Sequence, residues 1–411
     1  MIFNYTLPNG IRLVVNKMDG MYSVSIGILV GAGSVNESLS ENGISHFIEH
    51  VNFKGTEKRT AFQLSQDADM LGAQINAFTS KEFTCYYVKS IAEHTSKSFE
   101  ILSDLFVNSV YSPEELDRER GVIIEEINMY EDTPDELCMD LLASSYFGDL
   151  GYGAQILGPK SNVQGFTRQD VIDYKNKYYT TDNIVVSVAG GVDEKEVFDL
   201  CNKYLGCLKA SKMAQKPAYN TVNLQKSVCK CKDIEQVHMA FAYPSVNFNH
   251  PDGDKHAILT SVLGGGMSSR LFQTVREKLG LCYSVYAYPT AYVDCGFTVV
   301  YAGVGKDALA PAYDAIIKEM NLLKDKGITE EEFLRSREQM KASLVFSQEN
   351  VVSQMILYGK RKLLVGDDYD ISKRLKDLNA LSKDSVNGVI GGLFDERSLA
   401  KAVVGKNVSP L

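Results

Sequence analysis

The chain has 411 residues, 45% hydrophobic and 23% charged, with a formal net charge of -9. Such a length exceeds one ordinary core and points to two domains of about 200 residues each. The balance is that of a soluble globular protein, and the acidic surplus argues against a nucleic-acid partner.

In chain order the pattern predicts a strand, an Asn9-Gly10 turn, a strand over 11–15 and another over 22–30. Helical periodicity follows over 43–53, 61–71, 93–107 and 113–130, with a strand pair within 74–91. A helix near 168–178 leads to a β-branched run over 183–189. Residues 207–224, which carry Lys, Ser, Ala and Pro217, read as a linker between a domain of 1–206 and one of 225–411.

The second half repeats the order. Residues 237–243 read as a strand, 256–263 and 269–279 as helices, 283–292 and 296–303 as strands, and 308–324 and 329–346 as long helices. Superposing Leu71-Gly72 on Leu279-Gly280 aligns helix, glycine, two strands and two helices with themselves. The expected fold class is therefore α+β, with two duplicated domains, each an antiparallel sheet with helices packed mainly on one face.

No apolar run approaches the ~18 residues of a membrane span, and the first residues read as a strand, not a signal peptide. The eight cysteines lack the density of a disulfide scaffold and are expected to be reduced thiols of a cytoplasmic protein. Cys229 and Cys231 read as strand residues. The glycines at 264–266 and at 31 and 33 lack a phosphate-loop context and read as tight turns.

Chemistry concentrates on the helix at 43–53. At about 100° per residue, Ile44, Phe47, Ile48 and Val51 form an apolar stripe, while His46, Glu49 and His50 share the opposite side. Histidines at i and i+4 can place two nitrogens on one metal ion and leave Glu49 beside it. Neutral nitrogen ligands keep a zinc ion a strong Lewis acid, and the carboxylate can take a proton from water.

A third ligand has to come from elsewhere. On the helix at 113–130, Glu125 shares a stripe with Arg118, Gly121, Asn128 and Asp132, a solvent face. Glu126 shares one with Glu119, Val122, Ile123 and Tyr130, a largely buried face. A buried carboxylate is costly unless paired or metal-bound, so Glu126 is the expected ligand. Glu119, about two turns earlier on the same face, suits an orienting role toward a ligand histidine or the water. The bland alternative for Glu119 is a half-buried pairing with a nearby Arg. His94, His238, His250 and His256 lack partner spacing and read as surface or packing residues.

With these residues in place, the chain resembles the inverted-motif zinc endopeptidases, which include pitrilysin, insulysin and the mitochondrial processing peptidases. The motif is His46-Phe47-Ile48-Glu49-His50, and the resemblance extends to a glutamate 76 residues after the second histidine, as Glu126 is after His50. It also includes a glutamate seven residues before that ligand, matched by Glu119. Stretches 76–80, 263–272 and 276–286 look familial too, so the likeness runs along essentially the whole chain. One departure is Tyr152-Gly153-Ala154-Gln155, where many relatives place a histidine-proline pair; it is expected to affect packing or substrate preference.

The resemblance implies a zinc metalloendopeptidase with one zinc per chain, hydrolysing peptide bonds in peptides or unfolded segments. His46, His50 and Glu126 would be ligands, Glu49 the base and Glu119 its catalytic support. The edge strand carrying Asn76, Ala77 and Phe78 would receive the substrate backbone, and Arg276 with Tyr283 would hold substrate. Longer relatives carry four such units around a chamber, which implies a homodimer here. The positions matching His46, Glu49 and His50 in the second half are Asp254, Ala257 and Ile258, and Glu126 falls on Leu334 or Ser343, so that half cannot hold zinc. The alternative is a non-catalytic or partner-dependent subunit of a processing-peptidase-like assembly.

Overall fold

The computed structural model describes residues 1–213, 224–367, 369–394 and 398–411. Most of the expected linker, 214–223, lies outside the described residues. The strands of the first half are β1 (Ile2–Thr6), β2 (Arg12–Lys17), β3 (Ser23–Val30), β4 (Gln74–Thr79), β5 (Thr84–Ile91) and β6 (Ile184–Gly190). Its helices are α1 (Ile44–Asn52), α2 (Ala61–Met70), α3 (Thr95–Val107), α4 (Pro113–Glu131), α5 (Pro134–Phe147), α6 (Lys160–Gly165), α7 (Arg168–Tyr178) and α8 (Glu194–Leu205). The second half holds β7 (Ser227–Cys231), β8 (Gln236–Ser245), β9 (Cys282–Ala291), β10 (Gly296–Gly305) and β11 (Ala400–Gly405). Its helices are α9 (Gly253–Gly264), α10 (Leu309–Lys326), α11 (Glu330–Ser347), α12 (Val351–Leu364), α13 (Ile371–Ala380) and α14 (Lys383–Asn387). A π-helical turn spans Phe272–Lys278, within the segment expected to be an ordinary helix.

Two compact units emerge, and neither is contiguous. The first comprises Met1–Ile127, Gln155–Ala218 and Phe346–Tyr369; the second comprises Asn128–Ala154, Tyr219–Val345 and Asp370–Leu411. The expected contiguous halves, 1–206 and 225–411, thus each give up a helix: α5 packs on β11 and β8, and α12 packs on β6, β3 and β2.

In the first unit the sheet order is β1-β2-β6-β3-β5-β4. Neighbours are antiparallel except β2 and β6, which run parallel. Ile26 pairs with Val188 and Ile28 with both Val186 and Tyr86, so one face is a continuous apolar surface. It packs against Phe47 and Ile48 of α1, Phe99, Leu102 and Leu105 of α3, and Val197 and Leu205 of α8. Every residue of β6 is buried, which requires cover on both faces. α12 supplies the reverse cover, and small residues let it approach. A Cβ on Gly27 would meet Met355 Sδ at 2.2 Å, and one on Gly359 would meet Leu29 Cδ1 at 2.7 Å. Ser187 Oγ donates to the Met355 carbonyl at 2.7 Å, and Asn16 Nδ2 donates to Gln354 Oε1 at 3.1 Å.

The second unit repeats the plan. Its order β7-β11-β8-β10-β9 corresponds strand for strand to β2-β6-β3-β5-β4, including the parallel first pair. Its core joins Met239 and Phe241 of β8 to Ile258, Leu259 and Val262 of α9 and Ile316 and Leu323 of α10. Gly72 and Gly280 mark the same turn in the two copies, at φ +57° and +63°, each two residues before its edge strand begins. Only glycine takes that left-handed conformation readily. The duplicated α+β fold is therefore as expected, with one parallel pair per sheet and one helix on each reverse face added to it. The starts of α4 and α11 lie 217 residues apart, against 208 for the two glycines, so the nine-residue offset holds and Ser343 occupies the place of Glu126.

Candidate metal centre

All of the expected zinc ligands and both supporting carboxylates lie in the first unit. Gly43, the residue before α1, has φ +100° and no side chain to cap the helix. A Cβ there would also lie 2.6 Å from the Leu157 carbonyl oxygen. The missing cap comes from Glu37, a buried carboxylate. Its Oε2 accepts from Gly43 N and Asn42 Nδ2 at 2.8 and 2.9 Å, and its Oε1 accepts from Ser45 N at 2.8 Å. An anion at a helix N-terminus satisfies the free amides and the dipole together.

From that anchor α1 turns Ile44, Phe47, Ile48 and Val51 into the core, each at most 1% exposed. Its polar side is not left to solvent: His46 is only 7% exposed, because α4 contributes carboxylates against it. Glu126 Oε2 lies 3.6 Å from His46 Nε2 and 3.4 Å from His50 Nε2. The imidazole rings of His46 and His50 meet edge to face, with centroids 4.5 Å apart.

His46, His50 and Glu126 form the one group of potential metal ligands among the described residues, with ligand atoms all within 4.8 Å of one another. Donors about 2.1 Å from a tetrahedral ion stand about 3.4 Å from each other, so the two nitrogen–oxygen separations fit zinc. Two imidazoles and one carboxylate match the chemistry of a catalytic zinc site that keeps a fourth position open. Buried His46 Nδ1 finds no hydrogen-bond partner.

Glu119 is 3% exposed and reaches His50 from the other side, Oε1 standing 2.9 Å from Nδ1. Its other oxygen meets Lys54 Nζ at 2.6 Å, so its cationic partner is a lysine and not the arginine that periodicity left open. Burial would raise the Glu119 carboxyl, but the hydrogen bond with His50 and the adjacent Lys54 ammonium outweigh it and hold the group below the ordinary glutamate value. Glu125 is exposed and Glu126 half-buried, as the stripe assignment requires. Val122 departs from it: at 48% exposure it lies at the margin of the stripe.

Glu49 Oε2 accepts from Thr79 Oγ1 at 2.6 Å. Burial raises Glu49, opposed by that bond. Thr79 ends β4, and β4 is an edge strand paired only with β5. Asn76, Ala77 and Phe78 lie on this strand, with Phe78 edge-on to Phe83 at 5.6 Å. Arg276 and Tyr283 belong to the second unit. There the Arg276 guanidinium lies 4.6 Å from the Phe272 ring centroid and 4.7 Å from that of Tyr283, which is 75% exposed. Sequence reasoning missed Glu37, Lys54 and Thr79, because none stands at a ligand spacing from the histidines.

The metal-free histidines differ. Burial, and then repulsion from His50, lowers His46 to about 4 and keeps it neutral. Burial would also lower His50, but its bonds to Glu119 and Glu126 prevail and raise it to about 9. Below that pH a proton occupies the nitrogen that a metal needs. Apparent zinc affinity is therefore expected to climb about tenfold per pH unit between roughly pH 6 and 8 and to flatten above about pH 9. Chelator-competition titrations across that range would show it; a flat profile would contradict it. Glu126→Gln should weaken zinc binding by more than about a hundredfold, beyond what orienting groups alone contribute, while Glu125→Gln leaves it unchanged. The reverse outcome would place the ligand on the wrong stripe.

A model of "Insulinase (Peptidase family M16)" matches residues 13–160, and one of "Peptidase M16 inactive domain" matches residues 165–340. An "uncharacterized zinc protease" of Bacillus subtilis is 39% identical over 399 residues, covering 96% of each chain. One from Streptomyces coelicolor is 33% identical, covering 95% of this chain and 87% of the relative. Among solved structures, a protease from Helicobacter pylori superposes with a TM-score of 0.92 at 23% identity, covering 98% of this chain and 99% of the other. A chain of complex III2 from Candida albicans reaches 0.86 at 18% identity, covering 98% and 96%. With two family models spanning most of its length, relatives named zinc proteases and a ligand cluster that fits the metal, the chain belongs to peptidase family M16, and its cofactor is zinc.

Proposed function

We propose that the protein is a zinc-dependent endopeptidase acting on peptides or unfolded segments. The observation that carries this reading is the triplet His46, His50 and Glu126 with Glu49 beside it on α1, hydrogen-bonded to the end of an edge strand. Zinc, when bound, supplies Lewis acidity to water and to the scissile carbonyl. Glu49 takes the proton of the attacking water and passes it to the leaving amine; burial raises its basicity toward working pH. Glu119 holds the His50 ring through Nδ1. β4, with Asn76, Ala77 and Phe78, aligns an extended substrate by main-chain pairing, which gives affinity with little sequence demand.

A partner-dependent or non-catalytic subunit is the second reading, favoured by the "inactive domain" description of the second half and by the likeness to a complex III2 chain. Against it, the first unit keeps its three ligands and its base together. In the second unit, Asp254 is tied to Arg374 at 2.7 Å and Ile258 is fully buried, so these positions serve packing. Glu49→Gln should retain zinc and lose about 10²–10⁴-fold in peptide hydrolysis. A wild-type chain that binds zinc but cleaves no member of a diverse peptide library, alone or as an oligomer, would favour the subunit reading.

The same proposal includes a cytoplasmic homodimer in which Arg276 and Tyr283 of one protomer serve the zinc site of the other. Mixing Glu49→Gln protein with Arg276→Ala/Tyr283→Phe protein tests it. Subunit exchange should restore up to about half of wild-type activity per mixed dimer, because one of its two sites is intact. Exchange without recovery would rule out shared sites.

A further inference from the structure

Lys54 faces Glu119, the carboxylate that orients the ligand His50, from the side away from the histidine. It lies four residues after His50, just past the end of α1, and is half-buried. Its Nζ stands 2.6 Å from Glu119 Oε2, while His50 Nδ1 stands 2.9 Å from Oε1 of the same carboxylate. Both oxygens of a buried glutamate on α4 thus face groups from one end of α1: Oε1 is in a hydrogen bond with His50, and Oε2 is in a close ion-pair contact with Lys54 that lacks hydrogen-bond geometry. A carboxylate held at one oxygen can still rotate about its Cγ–Cδ bond and tilt the imidazole that it supports. An ammonium against the second oxygen opposes that rotation electrostatically. Glu119 is nearly enclosed, so water does not replace a lost ammonium without reorganising the site.

We propose that Lys54 is a positioning residue for the zinc site: it acts through Glu119 to fix the orientation of His50. The inference rests on the zinc-site reading and extends it by one side chain. Groups that orient a ligand histidine contribute about 10–100-fold to metal affinity, and Lys54 stands one bond further out. Its removal should therefore cost about tenfold, the lower end of that range.

The test measures zinc affinity of the metal-free, full-length chain at one pH, by competition with a chromophoric chelator, so it does not depend on peptidase activity. Lys54→Met and Lys54→Gln should each weaken zinc by about tenfold, and Lys54→Arg by no more than about threefold. Lys58→Met removes an equal charge from an exposed position four residues on and should change nothing. The deciding measurement is a double-mutant cycle. In a Glu119→Gln background, Lys54→Met should add less than about a twofold effect, because the route through Glu119 is already cut. An undiminished loss in that background would overturn the proposal and assign Lys54 to general electrostatics or folding. Wild-type affinity in folded Lys54→Met and Lys54→Gln would overturn it as well. A wild-type chain that takes up no zinc is a distinguishable failure, of the metal site itself.

Discussion

The zinc site depends on one packing constraint: α1 is a nine-residue helix buried on its apolar side and partly enclosed on its polar one. Its apolar stripe sits in the core, as any amphipathic helix would place it. Its polar stripe faces carboxylates of α4 and is partly enclosed, with His46 buried and Glu49 and His50 half-buried. Imidazoles and carboxylates taken out of water cost free energy unless each finds a partner. Here the partners are one another: Glu126 between the two histidines, and Glu119 between His50 and Lys54. A zinc ion, when bound, would give Glu126 and the two imidazoles one common partner.

The second unit shows the same scaffold released from that constraint. Its sheet has the same order and the same parallel pair, and α9 takes the place of α1. Asp254 and Ile258 in place of His46 and His50 remove the need for buried ions. One enters an ion pair with Arg374 and the other enlarges the core. A copy that carries no metal can use its first helix wholly for packing.

How much of this was legible followed from burial symmetry. α1 and α4 have one dominant buried face and the central strands are continuous apolar runs, and these patterns place them within a residue or two of their observed ends. For the same reason Glu126 lies beside the histidines and Glu125 is exposed, while Val122 is exposed because a residue about 60° from the stripe centre is a rim position. α5 and α12 were not recognised at all. α5 buries Leu137, Cys138, Leu142, Ala143, Tyr146 and Phe147 around much of its circumference, so no single stripe stands out. α12 lies more than 160 residues from the strand that it covers, a distance over which sequence pattern carries no pairing information. The fully apolar run of β6 did signal two-sided cover, but not which segment supplies it. Lys54 and Thr79 escaped because side-chain bonds between elements leave no periodic trace.

Thr79 has a further consequence for how the site chooses what it acts on. Its hydroxyl donates to Glu49 at 2.6 Å from the last residue of the edge strand, so β4 and α1 are joined at the proposed proton acceptor. An extended chain lying along β4 would take its register from the strand backbone, and the strand is in turn fixed to the carboxylate. Distance from paired backbone to proton acceptor is then set by covalent geometry plus one short hydrogen bond, with no side chain of the substrate involved. Under the proposed chemistry, such a site selects for segments able to become extended and excludes folded helices, whose amides are already satisfied. Selectivity of that kind comes from conformation and leaves sequence largely free.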